Sequence, residues 1–385
     1  MPCFNEPHVL EALKSIYACT IPDCLVEVIV VVNHGKNEDQ HVINQNRQSA
    51  DTIERWFRSN PNPSIEGHVI RAFDLEDKIA GVGLARKIGM DDAVRRFEDI
   101  NKKRGVIVCF DADCTCSSNY LQEIYRAYHQ RPEINAGLLY FEHPLSGNMS
   151  NETYDAIINY ELHLRYYKNA LGYANFPYSY HTVGSCITVT SEAYQKQGGM
   201  NKRKAGEDFY FLQKIFSLGK IENITEAKVI PSPRSSDRVP FGTGKAVHDI
   251  LLKSSSNYYT YNPKIFMDLR RFINRVPELF KGNMASSAIN NLPQSIRDFM
   301  AGHDYFKNLQ KIIKNNRSEK QFVKSFFQWF NGFTVLKYVH FARDEFFEHV
   351  EVFEAAEWVI VKNKGVHPID KKDALFLLRE IDRSD

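Results

Sequence analysis

The chain has 385 residues, enough for a large core and one or two domains. Its 49 Lys and Arg stand against 47 Asp and Glu, and a formal charge of +2 argues against a nucleic-acid binder held by bulk charge. Hydrophobic content of 43% and charged content of 25% are ordinary for a globular protein, and no run approaches the roughly 20 apolar residues needed to span a bilayer.

The N-terminus shows no charged stretch followed by an apolar core, so no signal peptide is read. Seven cysteines without a repeating framework read as reduced thiols of a cytoplasmic protein. Cys114-Thr115-Cys116 is one residue short of a CxxC and has no second pair, which speaks against structural zinc. The N-x-S/T sequons at Asn148, Asn151, Asn223 and Asn316 read as chance matches.

In chain order, Asn5 is a plausible cap for a helix from Pro7 to Cys19, with Leu10, Leu13, Ile16 and Tyr17 on its apolar face. Val26–Val32 reads as a buried strand ending at Asn33-His34-Gly35. A polar helix follows over 45–59, and Asn60-Pro61-Asn62-Pro63 is a loop. Gly67–Phe73 is a short strand, and Gly81–Phe97 a helix with Leu84, Ile88 and Val94 on one side. Next comes Val106–Asp113, an apolar run ending in two carboxylates spaced one apart. Such runs read as strands buried on both faces, and ligands collect at the carboxyl ends of strands in open α/β sheets. Asp111 and Asp113 can face one ligand there, and a hard divalent cation would relieve their repulsion. An Asp-rich turn capping the next helix fits the octapeptide alone equally well.

Ser117 or Ser118 can cap a helix through His129. Ala136–Phe141 reads as a strand, Asn151–Leu171 as a helix and Thr182–Val189 as a strand. Gly198–Asn201 is a turn, Gly206-Glu207-Asp208 opens a helix to Leu218, and Ala227–Ile230 is a last strand. The alternation predicts an α/β fold, a mostly parallel sheet flanked by helices. The loop 231–245 carries Arg234, Arg238 and Lys245 among Pro, Ser and Gly, and reads either as a cationic lid for a diphosphate or as a solvated surface loop. Beyond Ser254 the pattern turns helical, over 263–280, 321–357 and 370–381. Twelve aromatic residues between Phe322 and Trp358 read as the core of a helical subdomain, with an acceptor groove, a partner surface or peripheral membrane contact as the sharper alternatives. The expected division is a catalytic domain at 1–250 and a helical region at 251–385.

Together these motifs resemble a GT-A fold (Rossmann-like) glycosyltransferase of family 2. The resemblance rests on Pro2-Cys3-Phe4-Asn5-Glu6, the Gly83–Gly89 stretch with Ala85-Arg86-Lys87, Asp111-Ala112-Asp113 as the DxD motif and Gly206-Glu207-Asp208 as the xED motif, in that order over about residues 1–250. It implies an inverting transfer of a hexosyl type from a nucleotide-sugar donor to a hydroxyl of a glycan or other acceptor, with Mn²⁺ or Mg²⁺. Asp113 would hold the metal, and Asp111 would touch the ribose or reach the metal through water. Pro2, Phe4, Glu6 and Arg86 would border the donor, with Arg234 and Arg238 on its phosphates. Asp208 would take the proton from the attacking hydroxyl and Glu207 would orient the acceptor. A late histidine completes the metal shell in many such enzymes; His248 is the candidate here and His181 the other.

Two departures stand out. Where the family carries Asp to read the nucleobase, this chain has Asn33; amide can donate as well as accept. A UDP-linked donor is expected ahead of a GDP-linked one. The family's first strand precedes the Pro-x-Phe-Asn-Glu motif, and only Met1–Phe4 remain to form it, so the reading expects a native start upstream and a truncated first strand. The rival functions are a nucleotidyltransferase, whose Gly-rich phosphate loop is not found, and a non-catalytic nucleotide-sugar binder, disfavoured by Asp113 and Asp208 together.

Overall fold

The computed structural model describes residues 1–237, 242–253, 257–281, 291–302 and 304–384. The chain forms two compact units, one of Met1–Ile157, Thr182–Leu252 and Asp382–Asp385, the other of Ile158–His181 and Lys253–Ile381.

In the first unit the valine run becomes β2 (Val26–Gly35), central in a parallel sheet between β1 (Pro2–Cys3) and β3 (Ile65–Leu75). Strand alternation gives β2 two apolar faces. Ile29 and Val31, with Ile70 and Ala72, meet Ala85 and Ile88 of α3 (Val82–Asp99). Helix α2 (Gln40–Ser59) packs on β2 and β3, and α1 (Val9–Tyr17) packs on α2. Helix α2 starts five residues before its expected start, and Val42 of its first turn lies on the same buried face as Asn46, Ala50 and Ile53. The β2–β3 register breaks between Asn33 and Gly35. A bulge there re-aims the side chains at the end of the strand.

The second sheet runs β4 (Val106–Val108), β7 (Ile187–Thr190), β6 (Ala136–Phe141), β8 (Ile221–Ile230), β5 (Thr115–Cys116). Strands β6 and β8 are parallel, while β4 and β7, β7 and β6, and β8 and β5 pair antiparallel. The α/β class holds, and most of the paired backbone is parallel. Three local expectations need correction. The strand expected over Thr182–Val189 begins as a 3-10 turn, Gly184–Cys186, and becomes extended only at Ile187. Neither Ser117 nor Ser118 caps α4 (Tyr120–Gln130): the Ser117 hydroxyl donates to Asn119 Oδ1 at 2.6 Å and accepts the Lys228 N–H at 3.1 Å, so it serves the edge of β8. The last strand begins at Ile221, six residues ahead of Ala227.

The second unit is helical around an aromatic core. Its one strand pair among the described residues, β9 (Tyr259–Thr260) with β10 (Val350–Glu351), was not legible in the pattern. Asn262 caps α9 (Pro263–Ile273) at the Lys264 N–H, and the helix expected over 263–280 breaks before α10 (Val276–Lys281). The helix expected over 321–357 is three: Glu319–Trp329, Gly332–Glu345 and Val352–Lys364. The first break is built by Asn331, whose side chain accepts the N–H groups of Phe333 and Thr334 and starts a new helix. Phe326 stacks on Phe330 at 5.4 Å and Phe272 meets Phe330 edge-on at 5.3 Å, all three fully buried, so these rings are core.

A charged group is also sealed in this unit. Glu161 accepts from Arg165 Nε at 2.7 Å and from Arg379 Nε and Nη2 at 2.7 and 2.8 Å, with all three residues buried. Removing one member of a buried ion cluster leaves uncompensated charge. Glu161→Ala is expected to cost about 3–5 kcal/mol, read as a lowered urea unfolding midpoint of the full chain.

Candidate active site

The site in the first unit is built where loops leave the strands. Strand β4 leaves the ladder early; after Cys109, whose N–H still donates to Ile187 O at 2.8 Å, the chain turns and presents Asp111 and Asp113. Each carboxylate is about a third exposed, at 32%. Helix α7 (Glu207–Phe216) brings the second acidic pair. It opens at Gly206 with φ 69°, a left-handed conformation that favours glycine, and Asn201 Nδ2 donates to Glu207 O at 3.0 Å.

Arg86, on the second turn of α3, joins the two pairs. Its Nη2 donates to Asp111 Oδ1 at 2.6 Å and its Nη1 to Glu207 Oε1, with only 4% of the side chain exposed. Two glycines make room for this arrangement. A Cβ on Gly184 would stand 2.8 Å from Arg86 Nη2, and one on Gly83 would stand 2.2 Å from the Arg203 carbonyl. The 3-10 turn at Gly184 is thus packed against the guanidinium. Arg86, expected beside the donor, is engaged by two carboxylates, and Glu207, expected to orient an acceptor, is a buried ion-pair partner.

Arg234 makes a second clamp. Its Nη1 donates to Glu6 Oε1 at 2.9 Å, Nη2 pairs with Glu6 Oε2, and Nη2 lies 3.4 Å from Asp113 Oδ2. Glu6 is buried and also accepts the His8 N–H at 3.0 Å, while Asn5, at φ 49°, is held by Asn46 Oδ1. Pro2 sits in β1 and Phe4 follows it, half-buried, on the segment that carries Glu6. Each aspartate of the DxD pair thus has its own arginine, Asp111 on Arg86 and Asp113 on Arg234.

At the bulge, Asn33 and His34 are buried and polar. Asn33 Oδ1 and His34 Nε2 have no hydrogen-bond partner, and the His34 ring stacks on Phe73 at 4.7 Å. Buried polar atoms left unpaired are costly, so both atoms could accept a polar partner. The sequence reading assigned His34 no role; a histidine closing a valine run was the only signal of its burial.

His248, on α8 (Thr243–Lys253), hydrogen-bonds through Nδ1 with Ser235 Oγ at 3.2 Å. Among the described residues, Asp111, Asp113 and His248 do not converge at ligand spacing; the set that does is Glu27, Glu66 and His68, mostly exposed. His181 belongs to the second unit. Arg238 lies outside the described residues. Lys245 pairs with Asp249 at 2.6 Å, within its own helix.

The electrostatics follow from crowding. Burial pushes Glu207 up to about 7; Asp208 and Asp111 add to the rise and Arg86 opposes it. Burial also raises Asp208, again with Arg86 opposing and the Phe209 N–H, donated to Asp208 Oδ1 at 2.7 Å, lowering. A helix N-terminus favours carboxylate, so burial here outweighs the local field. Asp111 and Asp113 offer hard oxygen atoms in a partly exposed position, and this donor set fits Mn²⁺ or Mg²⁺.

No family model and no curated protein matches the chain. Among solved structures, the chain is similar to S. aureus TarS, at 12% identity and TM-score 0.40 over 81% of this chain and 53% of that one. It is also similar to S. aureus TarS 1-349, at 12% and 0.35 over 100% and 89%. A third is the mannosyltransferase PcManGT from Pyrobaculum calidifontis in complex with GDP-Man and Mn²⁺, at 13% and 0.35 over 100% and 84%. The chain spans about half the length of the first of these. These likenesses are distant, and the chemistry of the site stands on its own residues.

Linkage gives a pH signature. A carboxyl whose folded pKa is raised binds more protons folded than unfolded. Its stabilising contribution is present below its ordinary value of 4.5 and lost as pH rises through about 7. The stability advantage of the parent protein over Glu207→Gln is therefore expected to shrink from about pH 5 to about pH 8, measured as paired urea midpoints; a growing advantage would contradict the assignment.

Proposed function

We propose that the chain is a metal-dependent, inverting glycosyltransferase of the GT-A type, moving a sugar from a nucleoside-diphosphate donor to a hydroxyl acceptor. The observation that carries this reading is the gathering of Glu6, Asp111, Asp113, Glu207 and Asp208 around two guanidinium groups, Arg86 and Arg234. Such a carboxylate excess suits a divalent cation, which when bound supplies charge neutralisation for the departing diphosphate. Asp113 and Asp111 would hold that ion. The Arg234 loop would meet the phosphates, and Asn33 with His34 would border the base, with UDP and GDP both open.

Asp208 is the proposed base. Its raised pKa supports that role, since a carboxylate that binds a proton more readily is a better acceptor for an alcohol proton. Glu207 and Arg86 would hold the start of α7 toward Asp111 and so position Asp208. The residues of 1–250 are proposed as the donor and catalytic part, and the helical region as the place where an acceptor or partner is met.

The test is turnover across a panel of nucleotide sugars with Mn²⁺. Asp208→Asn is expected to lose about 10²–10⁴-fold in turnover while keeping donor binding. Asp113→Ala is expected to lose the metal-dependent rise in unfolding temperature that the right donor produces. Full turnover in Asp208→Asn would rule out the base assignment.

A further inference from the structure

We propose that Cys19 and Cys116 are a modification site, a dithiol that a peroxide closes to a disulfide. Their sulfurs lie 3.6 Å apart although the residues are 97 positions apart in sequence. A disulfide bond is about 2.0 Å, so closure asks for a displacement of about 1.6 Å between side chains that already face each other.

Backbone bonds set that approach. Cys19 follows α1, with its N–H on the Ile16 carbonyl at 3.1 Å, and the next N–H, of Thr20, donates to the Ser118 carbonyl at 2.7 Å. Cys116 is paired in β5 with Val229, and Ser117 N–H donates to the Lys228 carbonyl at 3.0 Å. The two cysteine segments are thus tied to each other beside the sulfurs, and α1 packs directly on β5. Ser15 lies beside both, with its hydroxyl 3.6 Å from Cys116 Sγ and its carbonyl accepting from Cys19 Sγ at 3.3 Å, and the Ser117 carbonyl is 3.6 Å from Cys19 Sγ.

The two thiols are unequal. The hydrogen bond from Cys116 pulls the Cys19 thiol below the usual cysteine value, with burial opposing and the backbone N–H groups of Leu121 and Tyr120 adding. The same bond pushes Cys116 well up. Cys19 is the buried sulfur, and its Sγ also faces the Ser15 and Ser117 carbonyls, so ionisation and access favour different members of the pair and either sulfur can react first. Cys116 is partly exposed, which opens the pair to a small oxidant. The thiolate of one cysteine attacks a peroxide oxygen; the O–O bond breaks, giving its sulfenic acid and hydroxide, which is protonated to water. The other thiol then gives its proton to solvent and attacks that sulfur; the S–O bond breaks and hydroxide leaves, to be protonated to a second water. Two thiols and one hydrogen peroxide become one disulfide and two waters, with two electrons passing from sulfur to peroxide.

The bond would staple α1 to β5. Glu6 precedes the first and Asp113 precedes the second, so the cross-link fixes the two segments that Arg234 bridges. The experiment uses the full chain treated with hydrogen peroxide, then alkylated, digested without reductant and weighed. The expected result is a Cys19–Cys116 peptide pair lighter by two hydrogens, a rise of several degrees in unfolding temperature, and reversal of both by dithiothreitol. Cys19→Ser and Cys116→Ser should each lose both changes, while Cys24→Ser, at the exposed cysteine, should keep them. Circular dichroism of the untreated variants confirms folding. Full alkylation of Cys19 and Cys116 after Cys24 is oxidised, or stable oxidation of Cys19 to sulfonic acid without a cross-link, would overturn the proposal.

Discussion

One buried guanidinium holds the first unit's chemistry in register. Arg86 binds Asp111 from the loop after β4 and Glu207 from the start of α7, so a residue on α3 fixes the distance between two acidic motifs almost a hundred positions apart. Burying a cation is costly unless it is paired with good geometry, and the pair at Arg86 meets that condition on two sides. Everything around it concedes space: Gly184 has no side chain because the guanidinium is there, and Gly83 lets the Asn201–Arg203 segment close over the start of α3.

The second clamp follows the same physics with more solvent. Arg234 is 23% exposed on its side chain, against 4% for Arg86. Water screens the outer pair more than the inner one, so the inner pair acts as scaffold and the outer pair is the easier to exchange for a ligand. Burial raises both acids at the start of α7, Glu207 and Asp208. A helix start ordinarily eases ionisation, but at Glu207 and Asp208 desolvation by burial outweighs that field.

Much of this was legible in the sequence, for reasons that can be named. The valine run of β2 and the six buried residues of β6 carry their own signal, because a strand hidden on both faces needs continuous apolar residues. The acidic pairs stood out by spacing and by their place after an apolar run or a glycine. What the sequence hid was pairing. Nothing local links Arg234 to Glu6, 228 positions away, or shows that Arg86 faces protein carboxylates. The antiparallel course of β7 was hidden too, since a short apolar strand does not disclose its direction. Breaks inside the helical region escaped because Asn331 caps from within an otherwise unbroken aromatic pattern.

The division of the chain into units has a further consequence for how the molecule can be taken apart. Neither unit is a continuous stretch: the second owns Ile158–His181, and the first reclaims the last few residues. A fragment cut at residue 250 would keep the segment that carries Tyr166 and Tyr167 but lose Phe266, the ring both of them pack against at 5.6 and 6.0 Å. It would also lose Arg383, which pairs with Glu142 on the far side of the chain. The complementary fragment would lack the helix against which its own aromatic core is assembled. Separate expression of the two halves would therefore yield sticky, incomplete pieces, and a useful dissection must follow the contacts of the fold and not the order of the residues.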